Sequence, residues 1–124
     1  MRLTFLGKDS QPQQSPTLYA TDRGSYVVQG WIVTDPDIIS SIDVSDQETI
    51  VEVPAKLLTY LSNDGLSGDV VNLVTPIVHV TGEGHYIVKG IRVTDTDTLD
   101  QMDIPDHETC VEVTRSAVAA LIGG

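Results

Sequence analysis

The chain of 124 residues carries 7 basic and 18 acidic side chains, for a formal charge of −11, and 40% of it is hydrophobic. That length suits a single domain, the hydrophobic share argues against wholesale disorder, and the acidity argues against direct binding of nucleic acid or anionic lipid. One cysteine excludes an internal disulfide framework, and no apolar run approaches the roughly 18 residues that span a membrane. The first seven residues lack the length and cleavage pattern of a signal peptide, so the expected location is cytoplasmic.

In chain order, Arg2–Leu6 reads as a strand and Lys8–Gln14 as a polar linker. Leu18–Thr21 and Tyr26–Thr34 are rich in β-branched and aromatic residues, and Asp22-Arg23-Gly24-Ser25 between them signals a hairpin. Asp35 is then a helix N-cap with Pro36 at the first helical position. Ile38, Ile39 and Ile42 fall on one face of that short helix. A turn at Ser45-Asp46-Gln47 leads into a strand, Glu48–Val53, and a helix opened by Pro54 carries Leu57, Leu58 and Leu61 as an apolar stripe. Gly65 is a stop signal. Ser62–Gly68 is a loop, and Val70–Val74 is a candidate strand that loosely mirrors Arg2–Leu6.

The rest of the chain repeats this plan. Residues 15–61 align with residues 75–121 at a constant offset of 60 without a gap, and 18 of the 47 positions are identical. Tyr26-Val27-Val28-Gln29-Gly30 answers Tyr86-Ile87-Val88-Lys89-Gly90, and Asp46-Gln47-Glu48-Thr49 answers Asp106-His107-Glu108-Thr109. Two copies are too few for a solenoid, and a half of about 60 residues has a marginal core. The fold class expected is therefore α+β: a tandem internal duplication forming one pseudo-two-fold domain over 1–124. Each half, 15–61 and 75–121, supplies a hairpin, a short helix, a further strand and a closing helix. Thr114 caps the second closing helix, with Ala117, Val118 and Leu121 as its stripe and Gly123 as its stop.

The glycines in mid-strand, Gly30 and Gly90, predict a β-bulge in each half. A bulge leaves Gln29 and Lys89 facing water and turns Trp31, Val33, Ile91 and Val93 inward with Arg92 outward. Trp31 is then a core residue.

Twelve of the 18 acids form six pairs across the repeat: Asp35/Asp95, Asp37/Asp97, Asp43/Asp103, Asp46/Asp106, Glu48/Glu108 and Glu52/Glu112. Asp35-x-Asp37 opens like a calcium loop, but Ile39 and Ser40 stand where a ligand and a glycine are required. Caps and turns account for these acids more simply. Asp35, Asp37, Asp95, Asp97, Glu52 and Glu112 are the candidate interaction residues. All three histidines lie in the second half, and His79 and His85 flank one hairpin, which makes them candidate metal ligands lacking a completed set. Cys110 aligns with Ile50 and reads as a small buried thiol. No Gly-x-Ser-x-Gly, phosphate loop or dinucleotide fingerprint is present, so no catalytic residue and no cofactor is expected. The terminal Gly123-Gly124 follows a predicted helix directly and reads as helix termination.

The segments Met1–Asp9, Ser15–Asp22 and Tyr26–Trp31 resemble a small uncharacterised actinobacterial protein family, and the likeness covers mainly the first half. Its members are often encoded near helix-turn-helix regulators, which implies a regulatory or partner role. Cys110-Val111-Glu112-Val113 is similar to a motif in another short actinobacterial family of the same neighbourhoods. Neither resemblance brings catalytic residues.

The function expected first is a non-enzymatic interaction or regulatory module whose acidic surface docks a basic or helix-turn-helix protein. The alternative is a small-ligand or metal-binding protein, enzymatic or not, that uses the seam between the halves where Tyr19/His79, Ser25/His85 and Trp31/Ile91 differ. The third is a DNA mimic, which needs the paired acids in a row on one face. The sequence leaves the oligomeric state open.

Overall fold

The computed structural model describes residues 1–9 and 16–122. Seven strands are described: β1 (Leu3–Lys8), β2 (Thr17–Thr21), β3 (Ser25–Ile32), β4 (Glu48–Pro54), β5 (Ile77–Val80), β6 (His85–Arg92) and β7 (Glu108–Thr114). The helices are short: α1 (Pro36–Ser41), a 3-10 helix (Ala55–Asp64), α2 (Thr96–Leu99) and α3 (Arg115–Ala119). The result is a mostly antiparallel sheet with a few short helices. No helix among the described residues is long and apolar enough to cross a membrane.

Four strands close a ring. β3 pairs along its length with β7, from Ser25↔Thr114 to Trp31↔Glu108, and at its end with β4 through Trp31↔Glu52 and Ile32↔Val51. β6 pairs along its length with β4, from His85↔Pro54 to Ile91↔Glu48, and at its end with β7 through Ile91↔Glu112 and Arg92↔Val111. β2 and then β1 extend the sheet from β3, and β5 extends it from β6.

The ladders through Gly30, opposite Thr109, and Gly90, opposite Thr49, are regular, so the expected bulges are absent. The glycines serve a different need. A Cβ on Gly30 would stand 2.5 Å from the Glu52 carbonyl oxygen and 2.6 Å from Val53 Cγ1. One on Gly90 would stand 2.5 Å from the Glu112 carbonyl oxygen. Each long strand is crossed by a second partner at its glycine, and only a residue without a side chain admits that approach. The register shifts that do occur lie in outer pairs, between Phe5 and Gly7 and between Ile77 and His79.

Without the bulge, the expected facing of neighbouring residues changes. Gln29 is fully buried, and its amide donates to Glu108 Oε1 at 2.8 Å and to the Asp103 carbonyl at 2.9 Å. Lys89 is half-buried and donates to the Asp43 carbonyl at 3.1 Å. Trp31 is half-buried and lies outside the core clusters, Val33 is buried, Val93 is half-buried, and Ile91 is exposed. Arg92 points outward as expected.

The main core draws on both segments of the chain. Tyr26, Val51, Val53, Leu57 and Leu61 meet Val88, Val111, Val113, Val118 and Leu121. Each such side chain contributes roughly 1.5–3 kcal/mol by leaving water. Inside this core the Tyr26 hydroxyl donates to Asp64 Oδ2 at 2.6 Å, and burial together with that carboxylate pushes the phenol up to about 12. Arg115 binds the same carboxylate at 3.3 Å and so ties α3 to the 3-10 helix. A smaller cluster of Val33, Ile50 and Ile87 is covered by Ile38 and Ile42 from α1 and its end, while Ile39 is exposed.

The caps follow the sequence. Asp35 accepts from the Asp37 amide at 2.9 Å, with Pro36 at the first turn, and Thr114 accepts from the Ala117 amide at 3.2 Å. The first closing helix is 3-10 rather than α, and it ends on Gly65 at φ +83°. Thr59 and Ser62 reinforce its tighter pitch by donating to carbonyls three residues back. Val70–Val74 is not a strand. Val70 alone forms a bridge, to Ile122, and Val71, Leu73 and Val74 are exposed. Most of the Lys8–Gln14 linker, and the stop at Gly123, lie outside the described residues.

The crossing predicts unequal costs for two alanines. Gly30→Ala must displace the β4 backbone and is expected to lower stability by about 2 kcal/mol or more. Gly24, at φ +73° with open space around it, pays only the left-handed backbone cost of about 1 kcal/mol as Gly24→Ala. Urea unfolding of both variants checks the order.

Candidate functional site

β4 and β7 each present a glutamate, Glu52 and Glu112, at the place where the ring closes. Their surroundings differ.

Around Glu112 the chain supplies its own cations. The Arg23 guanidinium, carried on the β2–β3 turn, grips the carboxylate with two nitrogens, Nε at 2.8 Å and Nη2 closer still. Ser25 Oγ donates to Glu112 Oε2 at 2.5 Å. These bonds, with the Arg23 one foremost, hold the Glu112 carboxyl below the usual carboxylate range although burial opposes them. Arg23 is correspondingly pushed up, chiefly by its bond to Glu112, and it also feels Asp95. Asp95 stands at the start of α2. Its carboxylate accepts from Thr98 Oγ1 at 2.6 Å and from the Met1 α-ammonium at 3.2 Å, and those two bonds lower its pKa.

Around Glu52 the picture is open. Its Oε2 meets His85 Nδ1 at 2.6 Å, and the His85 ring lies against the Trp31 indole with centroids 5.1 Å apart and planes 38° apart. Beside this pair is a cleft of about 450 Å³. Glu52, Asp35 and Glu83 line it with His79, Thr81 and Ile38, among others. Among the described residues no lysine or arginine pairs with Asp35, Glu52 or Glu83. Trp31 Nε1 is buried without a hydrogen-bond partner.

The six candidate interaction residues therefore divide three ways. Asp35 and Glu52 line the cleft, Glu112 binds Arg23 while Asp95 binds the Met1 ammonium, and Asp37 and Asp97 are exposed in the first turns of α1 and α2. Of the other paired acids, Glu108 is buried against Gln29, and Glu48 accepts from the Ser45 amide at 3.1 Å, which lowers its pKa.

His79 lines the cleft while His85 faces Glu52 and Trp31. No group of three or more His, Cys, Asp or Glu among the described residues is placed to hold a metal ion. Cys110 is buried, and burial pushes its thiol up to about 11, away from nucleophilic use.

Sequence reasoning passed over Arg23 and Glu83 as site residues and named Ser25 only as a position where the halves differ. The signal was present: at the offset of 60, Arg23 aligns with Glu83, a reversal of charge between corresponding hairpin turns. Comparison with family models, curated proteins and solved structures returned no match.

The lowered carboxyls give stability a pH dependence of definite sign. Glu112 and Asp95 titrate below their ordinary values when folded, so their contribution is fully present at neutral pH and is lost as pH falls through the lowered values. The urea midpoint is expected to fall on the acid side, and Glu112→Gln to flatten that fall while lowering the midpoint at neutral pH. Urea titrations from neutral to acid pH read both.

Proposed function

We propose that the chain is a tandem duplication folded as one pseudo-two-fold domain, and that it works as a non-enzymatic binding module for a basic protein. The observation that carries the binding reading is the cleft at Glu52. Three acidic residues, Asp35, Glu52 and Glu83, line it; among the described residues no lysine or arginine pairs with any of them, and Glu52 is met by His85 alone. Like charges held together at a concave surface attract a cationic partner and steer its approach.

The duplication reading is supported by the 18 shared identities and by pairings that repeat sixty residues on. Ser25↔Thr114 answers His85↔Pro54, and Trp31↔Glu52 answers Ile91↔Glu112. A helix-turn-helix regulator, the partner that the family resemblance implies, is basic on its nucleic-acid face and suits this surface.

The test is calorimetric titration of the full chain with a synthetic peptide rich in lysine and arginine, beside a neutral peptide of equal length. The cationic peptide is expected to bind at low salt and to weaken steeply as salt screens the carboxylates. Equal behaviour of the two peptides would contradict the proposal.

A further inference from the structure

Resting on that reading, we propose that the cleft is a socket for a single arginine side chain of the basic partner. The observation behind it is internal to the molecule. At the offset of 60, Glu52 answers Glu112, Asp35 answers Asp95, and Glu83 answers Arg23. In the Glu112 cluster this carboxylate set is occupied. Arg23 lays its planar guanidinium along Glu112, and an ammonium sits on Asp95. The chain thus displays what such a set binds and in what geometry. At the cleft the same two acids recur, but the position of the internal guanidinium holds a third carboxylate instead.

A guanidinium suits the cleft better than an ammonium. Two parallel N–H bonds to one carboxylate are a fork-to-fork match that a lysine head cannot make. Glu52 has one oxygen engaged by His85, and Asp35 has one engaged in capping α1, so each retains capacity to accept from a cation. Ile38, on the cleft wall where the Glu112 cluster has Thr98, offers apolar surface to the methylene stem of an arginine. A volume of about 450 Å³ accommodates that side chain. The proposed occupant is an arginine within a polypeptide, the basic partner of the reading above, rather than free arginine.

The experiment follows binding by the fluorescence of Trp31, the only tryptophan, whose indole lies against His85 beside Glu52. The probes are a glycine-flanked arginine pentapeptide, the same peptide with citrulline for arginine, and argininamide. The arginine peptide is expected to bind at least about tenfold more tightly than the citrulline peptide, which keeps the shape and loses the charge. Glu83→Arg, which restores the internal arrangement of Arg23, is expected to abolish binding with circular dichroism unchanged. Glu83→Gln, which keeps the shape, is expected to weaken it several-fold and serves where the first variant fails to fold.

Binding of the arginine peptide to Glu83→Arg or Glu83→Gln as to the parent chain would overturn the socket. So would equal binding of the citrulline peptide. Argininamide binding as tightly as the peptide would overturn the polypeptide source. If a longer basic peptide binds the parent and Glu83→Arg equally, in a salt-dependent way, the socket fails while the docking module stands. If no cationic peptide binds at all, both fall.

Discussion

The architecture turns on one steric constraint: β3 and β6 must each pass a second strand at a distance that excludes a side chain. β4 reaches Gly30 and β7 reaches Gly90, each with a carbonyl where a Cβ would otherwise sit. That close passage joins β3, β7, β6 and β4 into a closed ring. Closure in turn makes the core common property, because the side chains of β4 pack beside those of β7 rather than only beside their own hairpin. It also fixes Glu52 and Glu112, the residues whose carbonyls make the contact, at the two points where the ring shuts.

Two glutamates in corresponding backbone settings then meet different company. The β2–β3 turn brings Arg23 to Glu112, so that charge is satisfied within the chain. The β5–β6 turn brings Glu83 towards Glu52, which leaves a concave acidic surface. Much of the chain's acidity is accounted for locally: Asp35 caps a helix, Glu108 is buried on an amide, and Glu48 holds a turn. Asp35, Glu52 and Glu83 come together at a cleft where the two turns differ. In the proposed account, one ancestral arrangement became structural at Glu112 and became receptive at Glu52.

Periodicity made the elements legible. The hairpin residues, the Asp35 and Thr114 caps, the Leu57–Leu61 stripe and the Gly65 stop all act through neighbours a few residues away, and local pattern reports local physics. The bulge was misread because a mid-strand glycine has two explanations, an inserted residue or a close crossing. Choosing between them requires the position of a strand more than twenty residues distant. Gln29 was misplaced for the same reason, since its burial depends on Glu108 from the far segment. The site was half legible. Asp35 and Glu52 stood out as paired acids, but what distinguishes the cleft is the change from Arg23 to Glu83. A comparison that weighs shared acids and the positions where histidine or tryptophan differs passes over the one substitution that reverses a charge.

The account centres on one satisfied and one receptive carboxylate set, and nuclear magnetic resonance of the full chain observes both at once. Titrated with the arginine peptide, the amides of Asp35, Glu52 and Glu83 and the indole N–H of Trp31 should shift together and saturate. Those of Arg23, Asp95 and Glu112 should hold still. Shifts centred on the Arg23 cluster, or spread evenly over every acidic surface residue, would contradict it.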